Sequence, residues 1–165
     1  MSKFRALACA LAALPLSTFA LGTTATTAEA KDPEVIIKIT RVRALDQADA
    51  FSKGDFYAKA TIGGETVTSP AVKQETSITP DWVLSKKAKA GVVKVNLAVF
   101  DKDVSVDDPI DINRVDNKRD IDFTVNTKTC KIEGFSSSYK CGAKIVRAGK
   151  EKKDAEVTFI VTVKK

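Results

Sequence analysis

The residues of this chain whose types and spacing suit chemistry are carboxylates. Phe100 to Asp111 reads F-D-K-D-V-S-V-D-D-P-I-D, which sets Asp101, Asp103, Asp107 and Asp108 within a few positions of one another. The segment directly follows an apolar run, Val92 to Phe100, that alternates as a strand does. A strand continued through it puts Asp101 and Asp103 on one side, and the loop beyond returns Asp107 or Asp108 towards them. Packed without a counter-ion, such groups repel and raise one another's pKa values. A hard cation removes the repulsion, and calcium takes about six to eight oxygen ligands. Acidic turns also arise because Asp hydrogen-bonds its own backbone, so a solvated turn is the alternative that this segment alone leaves open.

The elements that must position these groups begin after an N-terminal leader. Lys3 and Arg5 precede an apolar, Ala- and Leu-rich run, Ala6 to Leu21, and Ala28-Glu29-Ala30 is a small-x-small signal. This is the layout of a cleaved secretory signal peptide over residues 1–30, with a second cleavage point at Ala20. The apolar run is too short, and interrupted by Pro15, to span a bilayer. Residues 31–165 then form one domain with a net charge of about +5. They keep two cysteines, Cys130 and Cys141, and the chain has no His. An even pair in an oxidising compartment is most simply a disulfide, and two sulfurs without histidine make a poor zinc site. The expected location is periplasmic or secreted.

Along the domain, Val35 to Leu45, Asp55 to Gly63, Glu65 to Val72 and Val92 to Phe100 read as strands with one apolar face. So do Ile121 to Asn126, Ala143 to Arg147 and the terminal run carrying Val157, Phe159, Val161 and Val163. Gly63-Gly64 marks a hairpin, and Pro70 marks an edge or a bulge. Trp82, the single Trp, is expected in the core. Ile112 to Arg119 reads as a short strand and turn, and Cys130 to Cys141 as a stapled hairpin or loop. No segment holds helical periodicity. The fold class is therefore all-β, an antiparallel β-sandwich of seven or eight strands.

A second acidic connection, Asp46 to Gly54, carries Asp49 and leads into Asp55. If the strand entering Asp101 neighbours the first strand, both loops leave one end of the sandwich. Asp49, Asp55, Asp101, Asp103 and Asp108 then face one pocket. This arrangement resembles the C2 domain, the calcium-dependent phospholipid-binding sandwich. D-F-Y-A-K from Asp55 is similar to that family's D-P-Y-V-K strand start, and Thr79-Pro80-Asp81-Trp82 to its N-P-x-W step. Val99 to Asp103, V-F-D-K-D, resembles its aromatic-D-x-D signature. Asp108-Pro109-Ile110 resembles the loop's closing motif, with Asp111 at the family's glycine and Asp107 competing for the closing role. The likeness covers roughly residues 35–112, and it implies an eight-stranded sandwich.

The resemblance implies that calcium bridges the acidic loops to an anionic membrane surface while apolar loop tips enter the interface. Phe51, Val104 and Val106 are the candidate membrane or partner contacts, with Lys59 and Lys73 on a strand face that meets anions or merely solubilises. An envelope protein or polysaccharide is the alternative partner, and a metal-free structural sandwich the alternative function. Nucleic acid is not expected, because aromatic and basic residues do not interleave. Nor is catalysis. Acid–base work would fall to Asp, Glu, Lys or Cys, the paired carboxylates lack a cleft of the kind glycoside hydrolysis uses, and Ser136-Ser137-Ser138 has no base at a recognisable spacing.

Overall fold

The computed structural model describes residues 31–45, 55–73, 76–102 and 106–165; the leader expected over residues 1–30 lies outside them. Thirteen strands occur among the described residues. They are β1 (Glu34–Ala44), β2 (Asp55–Ile62), β3 (Glu65–Thr68), β4 (Val72–Lys73), β5 (Ser77–Ile78), β6 (Trp82–Lys87) and β7 (Val92–Lys102), then β8 (Asp108–Ile110), β9 (Ile121–Asn126), β10 (Lys131–Glu133), β11 (Tyr139–Lys140), β12 (Lys144–Ala148) and β13 (Ala155–Lys164). Eight have four residues or more. These eight make the sandwich expected from the sequence. The other five are too short for alternation to register.

The long strands divide evenly between two antiparallel sheets. One runs β12-β13-β1-β6, with β5 continuing the β6 side of β1; the other is built on β9-β7-β2-β3. Each strand turns one alternate set of side chains inward, as a half-buried strand must. Val35, Ile37 and Ile39 of β1 meet Val95, Leu97 and Val99 of β7 and Phe56, Ala58 and Ala60 of β2 in one core. Trp82 is buried there, as expected. A bulge at Thr40 changes the parity of β1: Ile39 pairs with Phe159 but Arg41 with Thr158. Val42 thus turns inward where strict alternation from Val35 would expose it.

Pro70 marks a break, as its chemistry requires. The returning strand read over Glu65 to Val72 is two pieces, β3 and β4, both on the edge of β2. Between them the Ser69 N–H donates to the Ala58 carbonyl, and the Ser69 hydroxyl accepts from the Ala58 N–H. Residues 112–119, read as a short strand and turn, contain no strand. Cys130 and Cys141 form the expected disulfide beneath the β10–β11 hairpin. Phe135 of that hairpin packs 5.6 Å from Phe123 and carries the Arg147 guanidinium on its face.

The two sheets are tied together beyond β8 by Asp111, whose side chain is wholly buried. Its carboxylate accepts hydrogen bonds from the N–H groups of Asn113 (2.9 Å), Lys150 (2.9 Å) and Glu151 (2.8 Å). The backbone at Gly149 approaches so closely that a Cβ there would lie 2.3 Å from the Asp111 carbonyl oxygen. Asp111→Ala strands three backbone donors and is expected to cost roughly 3–5 kcal/mol in urea unfolding. Gly149→Ala should be destabilising by forced displacement of the same backbone, about 2–3 kcal/mol. Unfolding midpoints within error of wild type for both would sink this account. Replacing both cysteines by Ala is expected to cost about 2–3 kcal/mol, because the unfolded chain regains the freedom of the stapled loop.

Candidate functional site

β7 runs on to Lys102, past the apolar run, and carries Asp101 at its end. The partner that matters is β2, not β1: β1 lies in the other sheet, and Phe56 and Asp55 of β2 pair with Asp101 and Lys102. The loop leading into Asp55 and the loop leaving Lys102 therefore meet the sheet at adjacent positions. β8 returns antiparallel along β7 and sets Asp108 directly opposite Asp101. Two of the expected carboxylates are thus cross-strand neighbours, by register alone.

Of the other expected ligands, only Asp55 and Asp107 lie among the described residues. Asp49 and Phe51 fall in residues 46–54, and Asp103 and Val104 in residues 103–105, outside the described residues. Asp101 is inward-facing and only 7% exposed, in the same alternate set as Val99 and Leu97. Asp55 belongs to the opposite face, one position from the inward Phe56, across from Lys102 and Lys73. Asp107 accepts a hydrogen bond from the Tyr57 hydroxyl at 2.5 Å. Asp108 forms an ion pair with Lys153. Among the described residues no three acidic, cysteine or histidine side chains converge at metal-binding distance. Among the described residues β2 alternation sets Asp55 on the other face from Asp101, and Asp107 is bonded to Tyr57. Val106 is 73% exposed.

The outer face carries its own constellation. Tyr57 stacks on Phe100 at 5.4 Å, and the Lys59 ammonium lies 4.4 Å from the Phe100 ring centre and 5.2 Å from that of Tyr57. Tyr57 and Lys59, with Thr68, Ser69, Lys102 and Asp107, border a hollow of about 320 Å³. Burial first, and then the hydrogen bond to Asp107, push the Tyr57 phenol above its ordinary pKa of 10.0, while Lys59 pulls it down. Alternation in D-F-Y-A-K gives Tyr57 and Lys59 one face. The contact of Tyr57 with Asp107, fifty residues away, has no local signal.

Among the described residues Asp101 and Asp108 are the two expected carboxylates brought opposite one another, fewer than the about six to eight oxygen ligands calcium takes. Among solved structures the chain is similar to a C2 domain over 81% of its length and 99% of that chain, at 15% identity and a TM-score of 0.54. It is also similar to the tandem C2 domains of extended synaptotagmin 2, with 96% of this chain and 48% of that chain covered, 11% identity and a TM-score of 0.55. The fold is C2-like. A C2 domain of plant extended synaptotagmin 1 aligns over 83% of this chain and 99% of its own, at 9% identity and a TM-score of 0.51. No protein-family model matches the chain, and no curated protein is significantly similar to it in sequence.

The raised Tyr57 pKa fixes the sign of a pH effect. Below about pH 10 both folded and unfolded chains hold the phenolic proton, and the stabilisation is fully present. As pH rises towards the folded-state pKa, the unfolded chain releases the proton first and stability falls. Urea unfolding at alkaline pH should therefore show a steeper loss in wild type than in Tyr57→Phe. Parallel profiles would contradict the assignment.

Proposed function

We propose that this chain is a C2-like docking module that binds an anionic lipid surface at the end of the sandwich where Asp55 pairs with Lys102, with calcium shared between protein and lipid. The observation that carries the reading is the β7–β8 register, which opposes Asp101 and Asp108. Asp101 and Asp108 would hold the ion from the sheet, with Asp49 and Asp103 from the loops. Bound calcium supplies positive charge that carboxylates and headgroup phosphate oxygens can share. The exposed Val106, with Phe51 and Val104, would enter the interface; Lys59 and Lys73 add positive charge on the flanking strands. The fold-level likeness to C2 domains and the absence of any His-based acid–base pair favour a binding role over catalysis. The Cys130–Cys141 disulfide supports a secreted or periplasmic setting, where an anionic envelope component would take the place of a cytosolic membrane.

A metal-independent end is the second reading, and the Lys153–Asp108 ion pair favours it, since an ammonium already offsets one carboxylate. Thermal unfolding in EDTA, calcium and magnesium separates the two. Ligand that binds only the folded state raises the midpoint by mass action. Millimolar calcium should raise it by several degrees and magnesium by little, and Asp101→Asn with Asp108→Asn should abolish the rise. Calcium should also drive the protein onto phosphatidylserine-containing vesicles but not onto neutral ones. Identical melting in all three solutions would leave the metal-independent reading.

A further inference from the structure

We propose that the end of the sandwich opposite Asp101 and Asp108 is a second docking surface, one that needs no metal. Lys87, Lys89, Lys94, Lys128 and Lys140 lie against an anionic lipid bilayer there, and Val92 enters its interface. The inference goes beyond the calcium reading and does not rest on it. Val92 opens β7, and Asp101 lies nine positions further along the same strand, about 30 Å away.

Strand register gathers these groups. Val92, Asn126, Lys131 and Lys140 stand in one row across β7, β9, β10 and β11. Alternation gives Lys94 the same outward face as Val92. The turn carrying Lys128 is fastened to the start of β7: the Thr127 N–H donates to the Gly91 carbonyl at 2.8 Å, and the Gly91 N–H to the Thr127 hydroxyl at 2.8 Å. The Lys128 N–H itself donates to the Asn126 side-chain oxygen at 3.0 Å. Lys87 ends β6 and Lys89 follows it; with Val92 and Lys94 they border a hollow of about 690 Å³ against Gly63 and Gly64. The lysines thus converge on Val92 from four segments.

Solubilising lysines are ordinarily interspersed with acids. Here the acids are already engaged: Glu65 pairs with Lys86, Glu133 with Lys131, and Glu34 accepts from the Ser85 hydroxyl. Asp32 is the remaining acid of the hollow's lining. Among the described residues the five lysines of the patch form no ion pair, and all are exposed. Lys131 and Lys140 even face each other across strands, an arrangement that repels. The Cys130–Cys141 disulfide, next in sequence to both, holds that pair together, its Cα atoms 5.3 Å apart. Val92 stands among these charges with 67% of its surface exposed. A water-soluble polyanion gains little from an apolar side chain at that place. A bilayer takes Val92 into its interface while the lysine stems lie along it and their ammonium groups reach lipid phosphates. Charge complementarity and the exposed valine together favour the bilayer.

The test is co-sedimentation with vesicles in EDTA, which takes calcium out of the question. Wild type is expected to bind vesicles of phosphatidylserine and phosphatidylcholine, to leave those of phosphatidylcholine alone, and to be released by high salt. Lys89→Glu and Lys128→Glu should each weaken binding about tenfold. Lys152→Glu, an equal charge change at the acidic end, should bind as wild type does. Val92→Asn should weaken vesicle binding about fivefold and leave binding to dextran sulfate, a soluble polyanion, unchanged. All four positions are exposed, so the variants keep the fold. No vesicle binding in EDTA would overturn the inference while the calcium reading stood. An equal loss in Lys152→Glu would overturn it too, because net charge and not the patch would be the cause. Dextran sulfate binding without vesicle binding, or vesicle binding indifferent to Val92→Asn, would overturn the bilayer as the partner.

Discussion

The buried carboxylate of Asp111 is the interaction on which the acidic end depends. It follows β8, which belongs to the β7 sheet, and it accepts N–H donors from residues that lead into β13, in the other sheet. A polar group with no access to water is tolerable only when it finds hydrogen-bond partners within the protein. Three backbone N–H groups meet that need here. The requirement acts as a constraint on both sides. Residues 149–153 must close over the carboxylate, and Gly149 must lack a side chain for them to come near enough. The end of the sandwich is thereby locked from within.

That lock divides the acids by environment. Asp111 is satisfied by backbone and is part of the scaffold. Asp108 is met by a half-exposed ammonium, Asp107 by a phenol on the outer face, and Asp101 sits inward across from Asp108. Four carboxylates within eleven positions thus serve four different physical ends, although in sequence they look alike. The outer hollow between Tyr57, Lys59 and Lys102 and the inner Asp101–Asp108 pair lie on opposite faces of the sheet near one end of β2 and β7.

Much of the fold was legible in the sequence. Alternation of apolar residues in Val35–Ile39, Phe56–Ile62, Val93–Val99 and Val157–Val161 marks strands whose inward faces make the core. Gly63-Gly64, Pro70 and the cysteine pair each act through local chemistry, and each appears where that chemistry puts it. The short strands β4, β5, β8, β10 and β11 left no readable period. The Thr40 bulge was hidden too, because one extra residue in β1 is visible only against the register of β13. At the site, Asp101 and Asp108 stood out by their own spacing after a strand. Tyr57 and Lys153 did not, since their contacts with Asp107 and Asp108 join distant segments. Asp111 was visible as an additional carboxylate; that it would be buried and bonded to backbone was not.

By itself the sequence determined an all-β chain, its inward faces, one covalent staple and a concentration of carboxylates at the end of a central strand. These follow from side-chain period, turn chemistry and local charge, which act over a few residues. Only the tertiary structure decided that β7 pairs with β2, that β8 sets Asp108 against Asp101, and that Lys153 reaches the same carboxylate. Those outcomes depend on the register between strands and on the closure of residues 149–153 over Asp111. Hydrogen bonding and burial across the whole sandwich fix both, and no local run of residues encodes them.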